Sequence, residues 1–421
     1  MATGVPIRRS NGKAAAASSL EYQGKLHEAE ILAFPPKDYA LLWGGTHNEN
    51  RLYYADNLGV LATLFRDPQV QGQVRLVYID PPFSTQTTFH SRTQNHAYSD
   101  ALCGAEYVEF LRERLVLLRE LLANDGSIYV HLDEKMVFHI KVIMDEVFGS
   151  ENYRSCITRQ KSNPKNYTSK TYGNISDYIL FYTKSETYVW NRPMDMNKSN
   201  EEYRYIDADG RRYMKVPLHA PNTRHGASGE PWRGVLPPPG KHWQFPPAEL
   251  EAMDAREEIY WSPSGNPRRK VYFDPLKGAG VQDIWTEFRD AHNQNTLITG
   301  YPTEKPYGLL ERIIKASSNE NDLVLDCFSG SGTTLEVAED LGRKWIGIDN
   351  SQEAVETTIS RFVHGRRRMG DYVRRGQGLQ PPLFVEFWRE PPITEFSLLA
   401  KPQGLDVLSK SVSLLADAQA R

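Results

Sequence analysis

Leu323-Val324-Leu325-Asp326-Cys327-Phe328-Ser329-Gly330-Ser331-Gly332-Thr333-Thr334 is the stretch from which the fold of this 421-residue chain can be read. The apolar run Leu323-Val324-Leu325 has the character of a buried parallel strand, and it ends in an acid. Glycines at 330 and 332 follow, and residues 333–341 read as a helix stopped by Gly342. A strand, a glycine loop and a helix N-terminus in succession let backbone close on a ligand and favour a carboxylate or phosphate there. The loop has neither the Lys-Ser or Lys-Thr ending of a nucleoside-triphosphate loop nor the GxGxxG spacing of a dehydrogenase. Lys344-Trp345-Ile346-Gly347-Ile348-Asp349 reads as the next strand, again ending in an acid, where a ribose hydroxyl pair would be held. S-adenosylmethionine suits this set.

Far upstream, Leu76-Val77-Tyr78-Ile79 is a second buried-strand run, halted by Asp80-Pro81-Pro82-Phe83 because neither proline can donate to a ladder. Taken alone, such an ending is equally a turn. Beside the glycine loop it acquires chemistry. An exocyclic amino group on a nucleobase is a poor nucleophile, since its lone pair is delocalised into the ring. Two acceptors aimed at its hydrogens would draw that pair out of conjugation: the Asp80 carboxylate and the Pro81 carbonyl, whose direction Pro82 fixes. Phe83 offers a face on which the base can stack. A base inside a duplex must first be flipped out, at about a few kcal/mol.

Together with Tyr53-Tyr54-Ala55-Asp56-Asn57-Leu58, Asp125-Gly126-Ser127-Ile128-Tyr129-Val130-His131-Leu132-Asp133, Asp145-Glu146-Val147-Phe148-Gly149 and Tyr301-Pro302-Thr303-Glu304-Lys305-Pro306, these motifs resemble the beta-class DNA amino-methyltransferases. The similarity runs from about Lys25 to Arg368 and is greatest to the adenine-specific type and to type III restriction modification subunits, for which the chain is short. The resemblance implies that Asp56 and Asn57 contact the adenine of the cofactor. It further implies that Asp326, Phe328, Gly330, Gly332 and Thr333 surround its methionine and ribose parts, Asp349 its ribose hydroxyls, and Thr303 and Lys305 its carboxylate. Asp56 would equally serve as a helix cap, and Lys305 as a solvated charge. Family members often carry an aromatic near Ile157-Thr158-Arg159, against the far face of the flipped base. Here Arg159 stands at that place, so either its guanidinium or a tyrosine such as Tyr167 or Tyr172 would stack.

The alternation of strand and helix implies an α/β, doubly wound, mostly parallel Rossmann-like methyltransferase sheet, circularly permuted so that the catalytic half precedes the cofactor half. The expected divisions are an arm over 1–24, a catalytic part over 25–156, a target-recognition region over 157–295, a cofactor part over 296–380 and a tail over 381–421. The recognition region is rich in tyrosine, tryptophan, proline and basic residues. Arg159, Lys161, Lys165, Asn166 and Tyr167 are its candidate DNA contacts. A net charge of -3 and a pI near 6.4 do not mark a globally basic nucleic-acid binder, which leaves room for a basic cleft only. Cys103, Cys156 and Cys327 are isolated, without metal-ligand spacing, and no cysteine sits where carbon-5 cytosine methylation needs its nucleophile. No apolar run is long enough to span a membrane, so a bacterial cytoplasmic enzyme is expected.

The expected activity is transfer of a methyl group from S-adenosylmethionine to the 6-amino group of adenine in double-stranded DNA. The alternatives are the 4-amino group of cytosine and, more distantly, an RNA or protein amide methyltransferase or a non-catalytic DNA-binding protein. The expected partners, besides DNA, are a second copy of the chain and a restriction endonuclease.

Overall fold

The computed structural model describes residues 19–46, 48–82, 88–90, 96–99, 104–164, 170–195, 202–274, 279–290, 296–299, 301, 304–365, 367–369, 395–404 and 406–419. Two compact units are present: 1–191 with 282–421, and 192–281.

The first unit is built on a ten-stranded sheet. In chain order its strands are β1 Ala40–Trp43, β2 Asn50–Tyr54, β3 Val74–Ile79, β4 Leu122–Leu132, β5 Tyr153–Gln160, β6 Ser176–Thr183, β7 Ile284–Trp285, β8 Leu323–Asp326, β9 Lys344–Asp349 and β10 Phe396–Ala400. Across the sheet they run β1-β10-β2-β9-β8-β3-β4-β6-β5-β7. Every neighbouring pair from β10 to β4 is parallel, and β6 then runs antiparallel. This is the doubly wound, mostly parallel sheet that the strand–helix alternation implies.

Both faces of the sheet are covered, which is why its central strands are almost continuously apolar. Helices α1 Asn57–Leu64, α2 Gly104–Leu121 and α3 Val137–Phe148 pack on one face, where Val77, Ile79, Ile128, Val130 and Leu132 join their apolar sides in one buried core. The other face carries α4 Tyr307–Ser317, α5 Thr333–Asp340 and α6 Gln352–His364. Tyr129, which strand alternation turns away from Val130, accordingly meets Ser317 of α4 at 2.7 Å between hydroxyls.

One expected boundary differs from the division into units. Residues 157–191 and 282–290, read as recognition region, belong to the first unit, because β5, β6 and β7 extend its sheet. In the C-terminal region, which the sequence left unread, β10 inserts between β1 and β2, and its Phe396 packs against Trp43 and Trp345. The second unit holds an antiparallel four-stranded sheet and the helix Pro247–Ala255 around Leu218, Trp232, Trp243, Leu250, Met253 and Ile259.

Arg361 of α6 is buried and ties three segments of the first unit together. It pairs with Glu336 of α5 and with Glu304 ahead of α4, and its Nε donates to the Ser331 carbonyl at 2.7 Å. Removing one partner of a buried charge set leaves the others uncompensated. Arg361→Met is expected to lower unfolding stability by about 3–5 kcal/mol in urea titration; a loss below about 1 kcal/mol would show that the cluster is not structural.

Candidate functional site

The carboxyl ends of five adjacent strands, β2, β9, β8, β3 and β4, are each followed or closed by an acid: Asp56, Asp349, Asp326, Asp80 and Asp133. The register Leu325↔Val77 sets Asp326 beside Tyr78, so the glycine loop and the Asp80-Pro81-Pro82 segment leave the sheet at one edge, from neighbouring strands.

The glycine loop is held by the two acids that flank it. Asp326 accepts from the Phe328 amide at 3.0 Å and from the Thr334 hydroxyl at 2.6 Å. Burial pushes its carboxyl up to about 7; the two hydrogen bonds oppose this, and the charges of Asp80 and Asp349 reinforce it. Asp349 accepts from the Gly330 amide at 2.8 Å and from the Ser351 amide at 2.9 Å, and burial raises its carboxyl against these bonds. Gly332, at φ +76°, has no room for a side chain, since a Cβ would lie 2.6 Å from Thr358 Oγ1. The buried Ser329 hydroxyl finds no hydrogen-bond partner among the described residues. Thr333 turns its hydroxyl to within 3.2 Å of Ser331 Oγ and Arg361, into the protein. Phe328 sits 6.0 Å from Phe110, ring to ring.

Asp56 does cap α1, accepting from the Leu58 amide at 3.1 Å, while one of its oxygens lies 3.5 Å from buried Arg114. Asn57 is buried with both ends of its amide engaged, donating to the Cys327 carbonyl at 2.7 Å and accepting from Arg114 Nε at 2.6 Å. Its side chain therefore braces the glycine loop. Asp80 pairs through Oδ2 with Lys305, and its Oδ1 is buried with no hydrogen-bond partner among the described residues. The Lys305 ammonium thus faces the strand-end carboxylate. Pro81 is buried and Pro82 half-buried, whereas Phe83 and Thr303 lie outside the described residues.

Behind Asp80 runs a buried polar row. Tyr78, on the same face of β3, places its hydroxyl 2.8 Å from His131 Nδ1; His131 Nε2 lies 2.9 Å from Asp177, and Asp177 lies 3.0 Å from Arg159. His131 and Arg159, with Lys305 more weakly, hold the Asp177 carboxyl well below the usual range despite its burial. This overturns the expected role of Arg159. Its side chain is fully buried and committed to Asp177, Asp290 and the Phe288 carbonyl, so no face is left for a base or a phosphate. Lys161 is half-buried just beyond β5, Tyr172 is fully exposed, and Lys165, Asn166 and Tyr167 lie outside the described residues. Arg114, Tyr78, His131, Asp177 and Thr334 were not singled out in the sequence. Their partners are remote in the chain or hidden in ordinary strand and helix patterns, and no local signal marks them.

A family model described as DNA methylase, N6_N4_Mtase, matches residues 74–360. This chain belongs to that DNA methylase family. It is 46% identical over 375 residues to the type II methyltransferase M.EcaI of Enterobacter cloacae, covering 87% of this chain and 82% of that one. It is 26% identical over 346 residues to the StyLTI Mod subunit, a type III restriction-modification enzyme of Salmonella typhimurium, covering 71% of this chain and 51% of that one. The crystal structure of the M1.HpyAVI-SAM complex covers 74% of this chain and 98% of that one at a TM-score of 0.41 and 17% identity, too distant to carry residue roles across.

Asp326 gives a pH signature. Burial raises this carboxyl to about 7 in the folded chain, whereas an unfolded aspartate releases its proton near the ordinary value of 3.8. Its contribution to stability is thus present below the unfolded value and lost as pH rises through the folded one. Asp326→Asn should remove this loss, so the melting temperature of the variant minus that of the wild type should grow between about pH 4.5 and about pH 7.5; a difference that is flat or shrinks would refute the buried neutral carboxyl.

Proposed function

We propose that the chain methylates the 6-amino group of adenine in DNA, with S-adenosylmethionine as donor and the target base extruded from the duplex. The observation that carries this reading is the ion pair Lys305–Asp80, which leaves Asp80 Oδ1 as a buried acceptor beside the Asp326 loop. The donor, when bound, supplies a methyl carbon that the amino nitrogen attacks as the carbon–sulfur bond breaks and its electron pair goes to sulfur. Asp80 Oδ1 and the Pro81 carbonyl accept the two amino hydrogens and localise the nitrogen lone pair, Pro82 fixes the direction of that carbonyl, and Phe83 stacks on the base. Lys305 orients the carboxylate by occupying its other oxygen. After methyl transfer the nitrogen gives up one proton, to Asp80 or to solvent, and catalysis rests on positioning, without a covalent enzyme intermediate.

The residues at the loop fit such a donor. Each Asp349 oxygen accepts one backbone amide and keeps lone-pair capacity for a ribose hydroxyl. Gly330 and Gly332 give the backbone its close approach, Phe328 borders the methionine and ribose parts and the exposed side of Asp56 the adenine, and a cationic ligand would favour the ionised form of Asp326. Asn57 and Thr333 act by shaping the loop. Asp rather than Ser at the head of the Pro-Pro motif favours adenine over cytosine. The names of the relatives support a restriction-modification setting, and the partners proposed within it are an endonuclease companion and a second copy of the chain.

Asp80→Ala should retain cofactor affinity in calorimetry and lose about 10²–10³-fold or more in tritium transfer from labelled donor to DNA. Lys305→Met should lower kcat with little change in cofactor affinity. Retained transfer by the Asp80 variant would refute the acceptor role.

A further inference from the structure

The second unit carries an unneutralised cationic surface on one side of its sheet. Strand Arg212–Pro217 pairs with Pro267–Tyr272 so that Lys215 stands directly opposite Lys270, and Pro217 opposite Arg268. Residues two apart share a face, so Lys215, Lys270 and Arg268 project on the same side. Like charges placed directly across a ladder destabilise a free sheet, and nothing in the fold of this unit requires them there.

The basic residues of the unit divide into two sorts. Arg211 is paired with Asp207 and Asp209, Arg233 with Glu251 and Asp254, and Arg256 with Glu258. Among the described residues, Lys215, Lys270 and Arg268 have no acidic ion-pair partner. Ring faces hold the lysines instead: Lys215 Nζ lies 3.4 Å from the Tyr260 centroid and 3.8 Å from that of Tyr205, and Lys270 Nζ lies 5.4 Å from that of Tyr213. An aromatic face orients an ammonium without cancelling its charge. Lys215, Arg268 and Arg204 border one open hollow of about 600 Å³, in which Glu202 offsets part of the charge.

We propose that this sheet face docks the phosphodiester backbone of the DNA substrate, with Lys215, Lys270 and Arg268 as phosphate contacts. It rests on the reading that DNA is the substrate. Phosphates are the chemistry that suits the face, because they neutralise the opposed lysines where a neutral or basic partner would not. The contacts carry affinity and orientation rather than sequence choice.

The test is the salt dependence of duplex binding by the full chain. For Lys215→Met with Lys270→Met, the slope of log affinity against log salt should fall by about 1–2 relative to wild type, since each phosphate contact contributes about 0.9. Cofactor affinity should not change, and Arg256→Met, which removes an already neutralised cation, should leave the slope as it is. If the double variant folds poorly, exposed Arg268→Gln alone should lower the slope by about 1. An unchanged slope in folded variants would overturn the docking surface, as would tighter binding of an RNA duplex or of an acidic peptide to this face. Failure of the wild type to bind duplex DNA would instead strike the substrate reading itself.

Discussion

Parallel pairing of β3 with β8 is the constraint on which the chemistry depends. Val74, Leu76 and Val77 pair with Leu323, Val324 and Leu325, joining two stretches that are remote in the chain. All of these but half-buried Leu323 are buried, so register is fixed by packing on both faces, and a slip of one residue would turn each apolar side chain to the wrong side. Because both strands run the same way, their carboxyl ends coincide. A catalytic segment that precedes its glycine loop in sequence can then share one site with it, and the order of the two in the chain carries no cost.

Bringing parallel strand ends together also crowds acids, and the neighbourhood shows how that crowding is managed. Asp326 is held partly neutral by burial, Asp349 is fixed by two backbone amides, and Asp80 is paired with Lys305. Further along the same face, Asp177 is flanked by His131 and Arg159, and Arg159 in turn by Asp290. Toward the sheet edge the guanidinium of Arg159 thus stands between the carboxylates of Asp177 and Asp290. Burying such a row is expensive unless every member is matched, and it gives the strands beyond β4 a part in holding the catalytic edge.

Much of this was legible in the sequence, and the illegible parts have physical causes. The strands Leu323–Asp326 and Lys344–Asp349 read directly, because each is a short apolar run ending in an acid and the first leads straight into a glycine loop. The extension of the sheet through β5 and β6 did not, since Tyr153–Gln160 and Ser176–Thr183 are rich in aromatic and polar residues and identify themselves only by pairing, β6 with β4 and β5 with β6. The five residues of β10 carry no flanking signal, and their place between β1 and β2 exists only in three dimensions. Arg159 shows the limit of reasoning from position alone: the site beside the expected aromatic was found, while the acids that bury its guanidinium lie 18 and 131 residues away. For Asp56 a cofactor contact and a helix cap stood open in the sequence, and the cap on α1 is formed. For Lys305 the cofactor carboxylate and a solvated charge stood open, and its ion pair to Asp80 was not among these uses.

The most direct measurement is mass analysis of nucleosides released from duplex DNA after incubation with the protein and isotopically labelled S-adenosylmethionine. Two acceptors gripping an exocyclic amino group beside the donor loop predict label on the 6-amino nitrogen of adenine. Label on a ring carbon, or none on DNA while the donor is bound, would contradict the account.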